Sequence, residues 1–528
     1  MSQTWAAKRQ QARRQQQLRA LFPDPRPART GWTRPGGGDM RIVDAPPEYR
    51  GPAVQVTGLY PFSVGSTLPM IGSALGPHEE GRGIVCGDPV SWFTAGLINS
   101  PSGFVLGRPG IGKSTLVRHM LVQMPDKGTI PMVLSDFKGE YVDLIRELDG
   151  QVVAAGRGAS YVNPLDLGPL WTRLADLPER MELADGQVVR PRQQARADME
   201  GRRANVMIGL CELAIDRRLA AHEQNILINA IRFWQDQHPD DIPVVADVRN
   251  VVLDKPRALR LLAQDGGDDD RYAERTLELV DALNALADDE GVFGGIFAHH
   301  TTEPIQMERP FVFDLQAVDA ADRAVQAGLQ LVCWSYGASA ITASKYLADA
   351  GLQPRRVYCM VIDELWRALR AAEFMVDRVD DVTRLNRTLG LAQLLITHTM
   401  SDLTLATPAA TEKAWGFVER SEMVFLGGLA PKEMGNLATV FGMSDAEQQR
   451  LITWSARGRP NPKTGKTDPP PGRAKFMLKT GQDVGIPFQV QLVDAEIALN
   501  DTNRTWRDAI ASMNRRHDDV AGELEVLT

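Results

Sequence analysis

Residues Ser102 to Met124 read SGFVLGRPGIGKSTLVRHMLVQM, and the order of chemistry along that stretch decides the fold. Ser102–Leu106 is short and apolar, the pattern of a strand buried on both faces. Gly107-Arg108-Pro109-Gly110-Ile111-Gly112-Lys113-Ser114 follows as G-x-x-x-x-G-K-S, and from Thr115 to Met124 apolar residues recur at helical spacing. Strand, glycine loop and helix N-terminus together make a phosphate cradle. Glycines let the backbone wrap an anion, the N–H groups and helix dipole face it, Lys113 reaches the β/γ oxygens, and Ser114 offers its hydroxyl to Mg²⁺. Residues Gly107 to Thr115 are therefore the candidate binding loop for a nucleoside triphosphate, with ATP and Mg²⁺ as the expected ligands.

Working outward, Ile130–Leu134 (IPMVL) is a second short buried strand, ended by Asp136-Phe137-Lys138-Gly139-Glu140. Strand, helix and strand with the loop between them form a βαβ unit, so the sheet is expected to be largely parallel. Val152–Ala154 adds a strand, and Asn163-Pro164 stops regular structure. Residues 170–290 change character: long stretches at helical spacing, separated by polar connectors, predict an all-helical insertion. Strand patterns return at Phe311–Leu315, Val357–Ile362, Leu391–Thr397 and Met423–Leu426. Ser444 and Glu447 have capping-box spacing before a helix running to Trp454, residues 457–472 form a Pro/Gly/Lys-rich loop, and segments near 474–478 and 486–492 read as a closing hairpin.

Hydrolysis needs an acidic group on a strand neighbouring the phosphate loop. Cys359-Met360-Val361-Ile362-Asp363-Glu364 supplies one, an apolar strand ending in two carboxylates. Asp363 is the candidate for the Mg²⁺ shell, through water, and Glu364 for the general base that polarises the attacking water. A strand running into an acidic helix start is the plainer alternative. Leu391–Thr397 ends in Thr397-His398-Thr399, and either His398 or Thr397 is a candidate sensor of the γ-phosphate. Arg384 and Arg387 sit three apart just upstream, candidates for an arginine finger acting across a subunit boundary. Asp136 and Glu140, after the second strand, are candidates for a supporting role at the carboxyl edge, where open α/β sheets bind ligands.

The chain resembles the VirB/TraC-type ATPases of conjugative type IV secretion systems, in the HerA–FtsK branch of RecA-like motors. The resemblance is carried by Pro61-Phe62, by GRPGIGKST at Gly107–Thr115, and by SDFKGEY at Ser135–Tyr141. It continues in VNPLD at Val162–Asp166, VIDELW at Val361–Trp366, and the Arg384/Arg387 segment before Thr397-His398. It spans about residues 56–496. It implies a RecA-like P-loop NTPase fold, α/β with a mostly parallel central sheet and an all-helical insertion domain, ATP hydrolysis and a ring hexamer. It also implies partners in the secretion or conjugation machinery at the inner face of the membrane. Family members usually carry glutamine where this chain has His398, and usually have a larger N-terminal docking domain. The expected organisation is a basic tail (1–52), a first ATPase part (53–169), the insertion (170–300), a second ATPase part (301–496) and a helical C-terminal tail (497–528). An FtsK/HerA-like or coupling-protein-like DNA translocase and a nucleotide-switched scaffold are the alternative functions.

Composition sets the outer limits. At 528 residues, 43% apolar and 24% charged, the chain has the make-up of a soluble globular protein too long for one simple core. The net charge of −8 excludes a strongly basic nucleic-acid coat but not a local basic channel. Residues 1–41 stand apart: nine Lys or Arg face only Asp24 and Asp39, a local charge of +7, with a Pro- and Gly-rich second half. They read either as a solvated tail or as an electrostatic tether to DNA, anionic lipid or an acidic partner, with the ring channel a second place for DNA contact. Cys86, Cys211, Cys333 and Cys359 lie far apart without C-x-x-C, as reduced core thiols do. No apolar run approaches the ~18 residues of a membrane span, so the expectation is a cytoplasmic protein that meets a membrane through partners.

Overall fold

The computed structural model describes residues 69–81, 83–183, 186–319, 321–371, 375–376, 389–460 and 467–499. Pro61-Phe62, the basic tail, Arg384, Arg387 and residues 500–528 lie outside the described residues. Among the described residues no helix is long and apolar enough to cross a membrane.

The apolar runs become strands: β3 (Ser102–Leu106), β4 (Thr129–Asp136), β5 (Gln151–Ala154), β8 (Phe311–Asp314), β9 (Val357–Ile362), β10 (Leu391–Thr397) and β11 (Met423–Leu426). With β12 (Lys475–Lys479) and β13 (Ile486–Gln489) they build one nine-stranded sheet in the order β13-β12-β11-β3-β10-β9-β4-β8-β5. Every pair from β11 to β5 is parallel, and only the hairpin β12–β13 and its junction with β11 run antiparallel. A small ladder of β1 (Ala74–Pro77) and β2 (Ile84–Cys86) lies outside this sheet.

One expectation is corrected. The acidic strand β9 is not the neighbour of the phosphate-loop strand β3, because β10 lies between them. It pairs with β3 through Gln393–Thr397 and with β9 through Leu391–Leu395. β10 is buried along its whole length, so it needs a ladder on both edges and packing on both faces, and the middle of a parallel sheet provides all four.

Strand side chains alternate between two cores. Phe104, Leu106, Met132, Leu134, Met360, Ile362 and Leu395 face one, together with the helical insertion and the long helix Arg323–Asp349. Val105, Val133, Val361, Leu394, Ile396 and Phe425 face the other, with the loop helix Lys113–Val122 and the short helix Val142–Glu147. Each fully buried side chain of this kind contributes about 1.5–3 kcal/mol relative to exposure, so neither face can be left uncovered. The insertion packs the helices Pro191–Ile215, Ala221–Gln237, Val245–Leu253, Arg257–Ala263 and Asp269–Ala287, preceded by a two-stranded ladder of β6 (Met181–Glu182) and β7 (Val188–Val189). Ser444 and Glu447 form the capping box of the helix Asp445–Trp454, each bonding the other's backbone N–H.

Candidate active site

The carboxyl ends of β3, β10, β9 and β4 meet at one edge of the sheet. Leu106 is level with Thr397, and Leu395 with Ile362, so the residues that follow these strands emerge side by side. The loop after β3 is tied to the next strand by the Gly107 N–H, which donates to the His398 carbonyl at 3.1 Å. Gly110 and Gly112 have φ of +81° and +100°, a region where a side chain is strained. Gly112 is also the N-cap of the loop helix, so the turn from strand to helix needs glycine there. Arg108 reaches away from the loop and donates to the Ser455 carbonyl at 2.9 Å, anchoring it to the end of the Asp445–Trp454 helix.

Lys113 is buried, and its amine donates to the Gly107 carbonyl at 2.8 Å and lies 2.8 Å from Nδ1 of His398. The other ring nitrogen of His398 lies 3.3 Å from Oε2 of Glu364. With the lysine donating to Nδ1, the imidazole proton belongs on Nε2 and points at the carboxylate. Glu364 is also gripped by the Lys138 amine on Oε1 and by the Trp366 indole N–H on Oε2. Burial alone raises a carboxyl pKa, but the hydrogen bonds from His398 and Lys138 outweigh it and hold Glu364 well below the usual carboxylate range. Its φ of +53° is unusual for a residue with a side chain, a strain of order 1–3 kcal/mol of the kind found at working sites.

Asp363 points the other way. Its Oδ1 accepts the Glu364 N–H at 2.8 Å, and its Oδ2 accepts the Tyr141 hydroxyl at 3.2 Å. Burial pushes the pKa of that hydroxyl well above its ordinary value, so it stays a donor to Asp363. Burial, and then the charge of Glu364, push the Asp363 carboxyl up; burial pushes the Lys113 amine down against the pull of both carboxylates. Asp136 turns inward at the end of β4 and accepts the backbone N–H groups of Lys138, Glu140 and Tyr141. Those bonds fix the turn that presents Lys138 and Tyr141, while burial pushes Asp136 up to about 6.

These groups border a cavity of about 800 Å³ lined by the loop from Pro109 to Thr115, Lys138, Glu140, Asp363, Glu364 and His398. Arg118, Arg473 and the segment Leu492 to Ala498 close its far side. Arg118 donates to the Leu499 carbonyl at 2.7 Å, and His119 bonds Glu496 at 2.7 Å. Thr397 ends β10 buried, its hydroxyl without a hydrogen-bond partner among the described residues. The structure thus brings Lys113, Ser114, Asp363, Glu364 and His398 into one site, with Glu140 on its wall and Asp136 behind it. Lys138 and Tyr141 are functional candidates that a reading of the sequence passes over. Their signal was their place just after a buried strand, in the turn already marked by Asp136.

A nine-stranded, mostly parallel sheet with a glycine loop at its carboxyl edge defines the class: an α/β fold of the RecA-like P-loop NTPase type, with an inserted helical domain. The structure of VirB4 of Thermoanaerobacter pseudethanolicus is similar, with a TM-score of 0.58 and 17% sequence identity, over 82% of this chain and 100% of that one. The bacterial conjugative coupling protein TrwBdeltaN70 matches more loosely, with a TM-score of 0.43 and 12% identity, over 81% of this chain and 97% of that one. No protein-family model matches the sequence, and no curated protein sequence does either.

Proposed function

We propose that this protein is an ATP-hydrolysing motor of a conjugative type IV secretion system, powering DNA transfer or assembly of the channel. The observation that carries the reading is the chain of contacts from Lys113 through His398 to Glu364, which joins the phosphate loop to the acidic strand inside one cavity. The fold likeness to VirB4 supports the choice of system.

In this reading Lys113 exchanges the Gly107 carbonyl and His398 for the β/γ oxygens of ATP, at the mouth of backbone N–H groups from Gly110 to Ser114. Ser114 and Asp363, on the wall of the same cavity, are an oxygen donor pair of the kind Mg²⁺ takes when it arrives with phosphates and keeps several waters. The ion, when bound, neutralises charge on the phosphate oxygens. Glu364 holds the attacking water and takes its proton. To do so its carboxylate must shed the His398 hydrogen bond, and His398 is then free to sense the γ-phosphate. Arg384 or Arg387 from a neighbouring subunit completes the site in a ring, the hexamer that the sequence resemblance implies. The measurement that tests this is the ATPase rate of the purified protein with and without duplex DNA. A measurable rate abolished by Glu364→Gln is expected; an absence of turnover, with or without DNA, would leave a nucleotide-switched scaffold. Strong stimulation by DNA would move the assignment to a translocase.

A further inference from the structure

The insertion carries a second cavity, remote in sequence from every residue of the site above. It is an open cleft of about 760 Å³ between the segment Trp171–Arg180 and the start of the helix Pro191–Ile215. Four arginines line it, Arg180, Arg190, Arg192 and Arg196, against Glu179 and Asp240. Residues 170–300 as a whole hold 16 Lys or Arg and 24 Asp or Glu, so a basic cleft runs against the charge of the region that contains it. Arg192 is spoken for: it donates to the carbonyls of Leu177 and Ala175 and pairs with Glu179. Among the described residues Arg190 reaches Gln193 alone, at 3.5 Å. Arg180 and Arg196 are exposed and have no hydrogen-bond or ion-pair partner among the described residues.

Trp171 forms part of the cleft wall, and its ring is held by a cation. The guanidinium of Arg203 lies 4.9 Å from the ring centroid, fixed by the Leu165 carbonyl at 2.7 Å and by Gln235 at 2.6 Å. Arg203 is itself buried, its Nη2 has no hydrogen-bond partner among the described residues, and burial pushes its pKa down to about 10. It lines a smaller cavity that shares Arg196 with the cleft. A rigid indole face beside unpaired guanidinium groups is chemistry for a base and its phosphates. Aromatic faces accept any base, and arginine binds phosphate oxygens in bidentate fashion. The 25-residue helix beginning at Pro191 adds the positive end of its dipole at the same place.

We propose that this cleft binds single-stranded nucleic acid, with a base against Trp171 and the neighbouring phosphates on Arg180, Arg190 and Arg196. An acidic peptide satisfies the arginines but leaves the indole face without a flat partner. A lone nucleotide fills only a part of a cleft that is open to solvent. The proposal goes beyond the ATPase reading and does not depend on it.

The test uses the full chain and labelled single-stranded DNA of mixed sequence, followed by fluorescence anisotropy over a range of salt. Arg180→Ala with Arg196→Ala is expected to weaken binding at least tenfold, and to lower the log–log salt slope by roughly 0.7 for each phosphate that is no longer neutralised. Neither residue has a partner to lose among the described residues, so folding and ATP binding should be unchanged. Trp171→Ala should weaken binding about tenfold, with Trp171→Phe restoring most of it, since stacking survives the exchange. The basic residues 1–41 remain in every variant and contribute equally to each. Wild-type affinity and salt slope in the double arginine variant would overturn the proposal. So would displacement of the DNA by polyglutamate at equal charge concentration, which marks an acidic-peptide cleft. Equal affinity for a mononucleotide and the oligonucleotide would overturn it as well, and Lys113→Ala should leave DNA binding intact whatever it does to ATP.

Discussion

The sheet edge and the insertion cleft both gather charge, and they treat it in opposite ways. At the edge Lys113, His398, Glu364 and Lys138 are bonded to one another, and Asp363 to Tyr141. Nearly every group already has a partner that a substrate must replace. In the cleft Arg180 and Arg196 face solvent with no such partner among the described residues. A buried charge is kept only if it is paired, because the unpaired state costs several kcal/mol. An exposed arginine bears no such cost and can wait. Chemistry that must be timed belongs with the first arrangement, and capture of a polyanion with the second.

The largest effects should come from the bonded set. Lys113→Ala is expected to abolish nucleotide binding, read by a fluorescent ATP analogue. Glu364→Gln should keep binding and slow hydrolysis by about 10²–10⁴-fold, the usual worth of a positioned base. If Glu364→Gln hydrolyses ATP at the wild-type rate, the edge is no more than a network of structural ion pairs and the contrast with the cleft disappears.

Next comes Tyr141→Phe. It deletes the hydroxyl that donates to Asp363 and leaves that buried carboxylate oxygen short of a donor, so thermal or denaturant unfolding should show a loss of about 1–3 kcal/mol. Added Mg²⁺ with an ATP analogue should recover part of that loss, since the ion takes the same carboxylate. Equal loss with and without ligand would place Tyr141 in packing alone.

A third test concerns pH in the insertion. Glu223 accepts the Ala220 N–H and both terminal nitrogens of Arg217. Burial would raise its pKa, and these bonds lower it. Its folded pKa is therefore below the unfolded value of about 4.3. Its stabilising contribution is complete above that value and is lost as pH falls through the folded pKa. The stability gap between wild type and Glu223→Gln should be widest near neutrality and shrink below about pH 4. A gap that widens on acidification reverses the sign of the argument.

The smallest expected effect is at the cap of Ser444. Ser444→Ala should cost about 0.5–2 kcal/mol in unfolding measurements, with little change in hydrolysis. A large catalytic defect there would show that the Asp445–Trp454 helix, to which Arg108 is tied, transmits more to the loop than its anchoring bond suggests.

Most of the parallel sheet was legible because its strands are short apolar runs that end in turn-forming or charged residues. The phosphate loop, the paired carboxylates of β9 and the capping box at Ser444 were legible because each is a local pattern. The order of strands was not. Placing β10 between β3 and β9 depends on which edges pair, and nothing within β10 records that. The Arg323–Asp349 helix escaped for a different reason: it is buried over most of its surface, so it lacks the one-sided stripe by which a helix is recognised. Lys138 gripping Glu364 joins residues far apart in the chain, and the cleft arginines are scattered among polar residues that look solvated. Arg384 and Arg387, read from their spacing, lie outside the described residues.

The bond from Lys113 back to the Gly107 carbonyl bears on the end of a catalytic cycle rather than its beginning. When ADP leaves, the ammonium group does not face an apolar wall or an empty space; a carbonyl and an imidazole stand ready to receive it. Departure of the product then becomes an exchange of partners instead of the exposure of an unpaired buried charge. In the motor proposed above, such a landing place would favour fast emptying over tight retention. Gly107→Ala, whose methyl group would press on Ile111 at 2.4 Å and disturb that carbonyl, should therefore slow ADP release in a stopped-flow displacement experiment.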